Sequence, residues 1–200
     1  MNKIPKRIIC CWFGGKEKPE KVKKCIESWH KYMPDWEYIE INETNFDIDI
    51  NKYCRDAYDA KKWAYVSDVA RIWGLKEYGG IYMDTDVEVF KPRDKFLEHE
   101  FFTGFEQPYY PVTAVMGAIK DHWLINEMLD IYETKTFQVH DTWDQYETNV
   151  LILSDILGKY FDRTKEEFQE VDNMAIYPED IFCHGGPNQY TRHWMYGSWT

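Results

Sequence analysis

Apolar positions along the chain fall into short blocks with two different periods. Arg7–Phe13 (RIICCWF) is an unbroken apolar run closed by Gly14-Gly15, the pattern of a buried strand. Pro19 then stands where a helix starts, and Val22, Cys25, Ile26 and Trp29 repeat at helical spacing. Pro34-Asp35 marks a turn, and Trp36–Ile41 reads as a second strand. Strand, glycine turn, helix, strand is a βαβ unit, which predicts parallel pairing. A polar loop over 42–49 and a short helix over 51–58 lead to the stretch around which the chain is organised. There Val66, Val69, Ala70 and Trp73 sit at i, i+3, i+4 and i+7, predicting one buried helical face. Gly79-Gly80 supplies a stop of left-handed type, and Ile81-Tyr82-Met83 gives a strand covered on both faces. Asp84-Thr85-Asp86 follows at once. Alternation along a strand predicts that the two aspartates point the same way.

Beyond Pro92 the pattern predicts strands over Phe101–Phe105 and Val112–Ile119, with a loop over Gln107–Pro111 between them. A helix over His122–Tyr132 is expected with Asp121 as its N-cap. Thr136–Asp144 reads as loop, Gln145–Leu157 as a helix stopped by Gly158, and Val171–Tyr177 as one late strand. His184–Thr200, rich in Gly, His and aromatics, reads as a loop closing over a site. With no repeat or linker, residues 1–200 are expected to form one α/β domain with a mostly parallel sheet.

Composition narrows the partners. Hydrophobic residues make up 44% and aromatics 18%, enough for a sizeable core. The net charge of −11 argues against a nucleic-acid backbone as partner. The charge is uneven, because residues 1–24 carry eight Lys or Arg against Glu17 and Glu20. That excess fits either a solvated face or contact with anionic phosphates or an acidic membrane surface. Five cysteines without metal-finger spacing, no signal-like leader and no long apolar run point to a reducing cytosolic compartment.

Two acidic groups at one strand end repel unless a cation lies between or beyond them. Their oxygen ligands suit Mn²⁺ or Mg²⁺ and leave coordination positions for substrate phosphates. An isolated D-x-D also fits a solvated turn. Asp68 and Arg71, three apart on a helix, fit a local surface ion pair as well as a grip on substrate hydroxyls. Trp12 ends the first strand near the same rim, where it can serve core or ligand.

The run SDVARIWGLKEYGGIYMDTDVEVFKP resembles the DXD region of glycosyltransferase family 32. That group includes bacterial capsular and lipopolysaccharide sugar transferases and yeast initiating mannosyltransferases. More distantly the run is similar to the glucosyltransferase domain of the large clostridial toxins. The opening IPKRIICCWFGG and the closing RHWMYGSW are similar to the family's first strand and its His…Ser-Trp end. The resemblance implies a GT-A type fold and a metal-dependent hexosyl transfer that retains anomeric configuration. The donor would be a UDP- or GDP-hexose. The acceptor would be a glycan or lipid-linked glycan in surface-polysaccharide synthesis, at the inner face of the membrane.

Position by position, the resemblance implies that Asp84 and Asp86 meet Mn²⁺ (or Mg²⁺) and through it the diphosphate. Asp68 and Arg71 would hold the donor sugar's hydroxyls, and Asp68, Arg71 and Asp86 would carry the catalysis. Trp12 would stack on the base. His193, Ser198 and Trp199 would close over the diphosphate, with Ser198 as a further metal ligand. Asn149 reads as a structural helix residue. Two other functions share these features. A nucleotide-sugar hydrolase would need a positioned water and base that the sequence does not nominate. A non-catalytic carbohydrate-binding module would keep the rings without needing two rim carboxylates.

Overall fold

The computed structural model describes residues 3–140, 142 and 148–197. The first βαβ unit forms as its pattern dictates. Strand β1 (Arg7–Cys11), helix α1 (Glu20–Tyr32) and strand β2 (Glu37–Ile41) follow in order, and β1 pairs β2 in parallel with Ile9 opposite Ile39. Val22, Cys25 and Trp29 are the buried stripe of α1. Trp29 adds a buried hydrogen bond from Nε1 to the Val87 carbonyl at 2.7 Å, tying α1 to the segment after the D-x-D.

Helix α2 (Lys52–Asp59) leads into α3 (Trp63–Tyr78). Asn51 caps α2, its side chain accepting from the Cys54 amide at 2.9 Å. The periodicity of α3 predicts one buried face, but the helix is buried nearly all round. Ser67, Asp68, Arg71 and Gly74 are covered along with Val66, Val69, Ala70, Ile72 and Leu75, whereas Trp73 is only half-buried. A helix packed on both sides cannot leave a polar stripe in water, so its polar residues need partners inside. Asp68 and Arg71 have them, while the Ser67 hydroxyl has none among the described residues. Gly79 ends it with φ +62°, its amide donating to the Leu75 carbonyl at 2.9 Å. At Gly80, with φ +127°, a Cβ would sit 2.7 Å from the Arg7 carbonyl oxygen of β1. Glycine is therefore required for α3 to turn directly into the sheet.

Strand β3 (Gly80–Met83) is buried on both faces and pairs β1 in parallel, with Ile9 opposite Tyr82. Beyond it the chain departs from simple alternation. Asp84–Val87 is a tight turn closed by the Val87 amide on the Asp84 carbonyl at 3.0 Å. A short strand β4 (Val87–Val89) then leaves the main sheet.

Strand β5 (Phe101–Gln107) extends past the predicted Phe105 and forms a hairpin with β6 (Tyr110–Pro111). The span expected to be loop is thus mostly strand and turn, with Tyr109 at φ +73°. Strand β7 covers only Val115–Ala118. Helix α4 (Trp123–Glu133) is capped by His122 rather than by the expected Asp121. The His122 Nδ1 accepts from the Leu124 amide at 3.3 Å, while Asp121 sits at φ +56° in the turn before it. Helix α5 spans Asn149–Leu157, and the first residues expected of it lie outside the described ones.

The predicted strand Val171–Tyr177 is two antiparallel strands, β8 (Gln169–Val171) and β9 (Met174–Tyr177). Asp172 and Asn173 both take positive φ between them, the geometry of a two-residue hairpin turn. A short helix α6 (Glu179–Phe182) and strand β10 (Thr191–His193) follow, and two 3-10 turns stand earlier at Ile48–Ile50 and Asp94–Glu98.

The sheet order is β2-β1-β3-β7-β5-β9-β8, with β6 on the edge of β5. Strands β2, β1, β3, β5 and β9 run one way, and β7, β6 and β8 run the other. The sheet is therefore mostly parallel, with helices against it. One apolar cluster lies under α3, α4 and α5, and a second lies under α1 and the β4 region. Strand β10 pairs antiparallel with β4, His193 opposite Val87. This small second sheet brings the end of the chain to the D-x-D turn.

Candidate functional site

The site lies at the carboxyl ends of β1 and β3. In register, Ile9 opposes Tyr82, so two residues further along β1 stands at the level of Asp84. The two aspartates do converge, though by a different route from the strand alternation expected. The turn folds Asp86 back toward Asp84, and His193 from β10 stands before both. Its Nε2 is 3.4 Å from Asp86 Oδ1 and 3.9 Å from Asp84 Oδ2. One ligand atom from each of Asp84, Asp86 and His193 lies within 4.8 Å of the others. Two carboxylates and an imidazole gathered this closely fit a divalent cation such as Mn²⁺ or Mg²⁺. His193 thus joins Asp84 and Asp86 as a potential metal ligand. The other expected ligand, Ser198, lies outside the described residues, as does Trp199.

The tail is pinned to this turn by its backbone. The Tyr196 amide donates to Asp86 Oδ2 at 2.8 Å, and the Trp194 amide to the Asp86 carbonyl at 3.2 Å. Trp194 and Tyr196 stack nearly parallel at 5.9 Å, and Trp194 Nε1 donates to Glu88 at 3.0 Å. The tail therefore lies against the D-x-D turn through Trp194 and Tyr196.

Asp68 and Arg71 are buried, which removes the reading of a solvated surface pair. Arg71 Nη2 lies 3.1 Å from Asp68 Oδ1 and 3.3 Å from Asp84 Oδ1, so one guanidinium links the helix carboxylate to the D-x-D. Its Nη1 donates to the Thr113 carbonyl at 3.0 Å and its Nε to the Ser67 carbonyl at 3.4 Å. The guanidinium also lies 4.7 Å from the Tyr82 ring centre, and the Tyr82 hydroxyl donates to Asp84 Oδ1 at 2.7 Å.

Titration follows from this packing. Burial pushes the Asp68 carboxyl up to about 6, with Arg71 pulling it down and Asp84 pushing it further up. Burial works against the Arg71 charge, but Asp84, Tyr82 and Asp68 more than compensate and hold it above the usual arginine value. Burial likewise opposes charge on His193, yet Asp86, Cys183, Glu106 and Asp84 raise it to about 12. Burial would raise Asp86, but His193 and the Tyr196 amide hold it below the usual carboxylate range.

Trp12 follows directly on β1. Its amide donates to the Ile41 carbonyl at 2.9 Å and its Nε1 to the Lys16 carbonyl at 2.7 Å. Together with Gly15, Lys18, Asn42 and Thr44 it lines a cavity of about 480 Å³. The Lys18 amine lies 5.3 Å from its ring centre. Asn149, the first residue of α5, is buried. Its Nδ2 donates to the Asp68 carbonyl at 3.1 Å, and its Oδ1 accepts from Tyr132, so α5 and α4 are locked onto α3 at Asp68.

The sequence reading missed three contributors. Tyr82 was signalled, since it precedes Asp84 by two on the same strand. Glu106, behind His193, left only a faint trace as the first charge after a buried strand. The Thr113 carbonyl left none, because backbone groups carry no residue signature.

With this geometry in place, comparison with known proteins is informative. The family described as a glycosyltransferase sugar-binding region containing the DXD motif matches residues 19–103, a span that holds Asp68, Arg71, Asp84 and Asp86. Inositol phosphoceramide mannosyltransferase 3 of Schizosaccharomyces pombe is 28% identical over 161 residues. The match covers 76% of this chain and 44% of that protein, so the chain spans less than half of its relative. Among solved structures, the PaToxG glycosyltransferase superposes with a TM-score of 0.58 at 20% identity. That likeness covers 79% of this chain and 70% of the other. Residues 19–103 therefore match the DXD sugar-binding region of glycosyltransferases, and the chain has a GT-A type fold and resembles family 32.

Proposed function

We propose that this protein is a metal-dependent, retaining glycosyltransferase. It moves a hexose from a nucleotide-diphosphate sugar to a glycan or lipid-linked glycan acceptor in surface-polysaccharide synthesis. The observation that carries the reading is the convergence of Asp84, Asp86 and His193 at the end of β3, backed by the buried Asp68–Arg71 pair.

Asp84, Asp86 and His193 would hold Mn²⁺ or Mg²⁺, with Ser198 as a further ligand. When bound, such a cation stabilises the negative charge that develops on the departing diphosphate. Asp68 accepts hydrogen bonds from the sugar hydroxyls, and its carboxylate favours positive charge developing on the ring. Arg71 donates hydrogen bonds to the Ser67 and Thr113 carbonyls and stands at ion-pair distance from Asp68 and Asp84. It orients both carboxylates toward the donor sugar. Trp12 flanks the uracil or guanine base, and the tail from His193 through Trp199 covers the diphosphate and excludes water.

We favour front-face displacement, in which the bond from the acceptor oxygen to the anomeric carbon forms as the bond to the diphosphate breaks. The leaving phosphate takes the acceptor's proton. The yeast relative, an inositol phosphoceramide mannosyltransferase, supports an acceptor with a lipid portion. A cytoplasmic site at the inner membrane face would suit such an acceptor, with Lys16, Lys21 and Lys24 turned to anionic headgroups.

A thermal-shift panel of UDP- and GDP-hexoses, with and without Mn²⁺, tests the reading. One donor at about 100 times its Kd should stabilise the protein by roughly 2.7 kcal/mol, and only when metal is present. Asp84→Asn and Asp86→Asn should each remove that shift. Donor binding indifferent to metal and to both substitutions would refute the proposal. Free sugar released at the same rate with and without acceptor would identify a hydrolase instead.

A further inference from the structure

Glu106 is the last charged residue of β5, and its carboxylate lies on the opposite side of His193 from the D-x-D turn. Glu106 Oε1 is 3.4 Å from His193 Nδ1, an ion-pair approach without hydrogen-bond geometry. It leaves Glu106 as the carboxylate facing this buried nitrogen, otherwise unpartnered among the described residues, while His193 Nε2 faces Asp86 at 3.4 Å. Both side chains are largely buried, at 16% and 13% exposure. Glu106 is itself held. The Cys183 thiol approaches its Oε1 at 3.9 Å, and its backbone carbonyl meets the His184 ring Nε2 at 2.6 Å. The result is a line running carboxylate, imidazole, carboxylate, assembled from β5, β10 and the turn after β3. None of these elements is adjacent to another in sequence.

An imidazole can face a cation with only one nitrogen that carries no proton. Which nitrogen that is depends on the partner of the other one. A carboxylate fixed at Nδ1 retains the proton there and leaves Nε2 as the ligand atom. It also holds the ring plane toward Asp84 and Asp86. From this we infer that Glu106 is a positioning residue for His193, setting its tautomer and orientation for cation binding at the D-x-D. The inference rests on the proposed reading of Asp84, Asp86 and His193 as the cation site. It extends that reading to a residue outside the matched family region, which ends at residue 103.

Mn²⁺ affinity, measured by electron paramagnetic resonance or calorimetry on the full chain, gives a readout independent of turnover. The proteins compared are the wild type, Glu106→Gln, Glu106→Ala, His193→Ala and the double variant Glu106→Ala/His193→Ala. The thermal midpoint of each is also taken without metal. Glu106→Ala should weaken Mn²⁺ binding about 10–100-fold, the usual effect of losing such a partner. Glu106→Gln should lose less, because its amide oxygen can still accept from Nδ1–H. In the His193→Ala background, Glu106→Ala should cost nothing further. Equal losses in both backgrounds, or unchanged affinity in Glu106→Ala, would overturn the role. So would tightly retained zinc that both Cys183→Ala and Glu106→Ala release, since Glu106, Cys183 and His193 would then be a metal site in their own right. A wild type that binds no Mn²⁺, with or without a nucleotide sugar, would sink the cation site itself. Binding by the wild type with no effect of Glu106→Ala would sink only the positioning role.

Discussion

Arg71 shows how much one buried side chain can hold together. It is 5% exposed, and its guanidinium joins two buried carboxylates to two carbonyls. Lysine would bring a single point charge without the planar fork, so it cannot satisfy Asp68, Asp84 and Thr113 together. Arg71→Lys should therefore destabilise the protein by about 3–5 kcal/mol, the range for breaking a buried pair. Chemical denaturation measures the stability loss, and donor turnover should fall at least tenfold in the fraction that remains folded. A change below about 1 kcal/mol with normal turnover would show that the pair is dispensable. Arg93 is the contrasting case. It is fully buried with the Phe182 ring 5.3 Å away and no hydrogen-bond partner among the described residues, and burial pushes it down to about 9.

Among the elements, α4 depends on a titrating cap. His122 is 3% exposed and accepts from the Leu124 amide through Nδ1, so it must be neutral to do its work. Burial lowers it from 6.5 to about 4. A histidine depressed in the fold adds stability above pH 6.5, and that contribution is lost as pH falls from 6.5 to about 4. At most it amounts to roughly 3 kcal/mol. His122→Asn keeps a capping oxygen without the titration. Urea unfolding across this pH range should show a steeper loss for the wild type than for the variant, and parallel curves would exclude His122 as the cause. This cap also illustrates what periodicity can and cannot reveal. The apolar stripe of α4 placed the helix correctly, but Asp121 outranked His122 as a cap on propensity alone. Only the fold shows that the chain turns at Asp121 with positive φ and delivers the histidine instead. The hairpin at Asp172-Asn173 was hidden similarly, because two short strands and their turn share one apolar run.

At the scale of the molecule, the basic start of the chain is less available than its count suggests. Lys3, Lys6, Arg7, Lys18 and Lys23 each meet a carboxylate at 2.5–2.9 Å. Lys16, Lys21 and Lys24 have no carboxylate at ion-pair distance among the described residues, and Lys21 lies over the Tyr196 ring at 4.1 Å. Three lysines near an anionic surface supply about 3 kcal/mol in all, enough only for weak attachment. Among the described residues no helix is long and apolar enough to cross a membrane. Flotation with anionic vesicles should therefore succeed at low ionic strength and fail near 0.15 M salt, where screening acts within about 8 Å. No flotation at low salt would remove the membrane contact from the proposed function.

The sequence by itself determined the parallel β1–α1–β2 unit, the buried central helix with its glycine stop, and the acidic rim at the end of β3. These follow from local periodicity, glycine chemistry and side-chain type, which act over a few residues. Only the tertiary structure decided that Asp84 and Asp86 converge through a turn, that Arg71 bridges Asp68 to Asp84, and that Glu106 stands behind His193. Each of those facts joins residues from separate elements. Their meeting is set by strand order and by the pairing of β10 with β4, which no local pattern encodes.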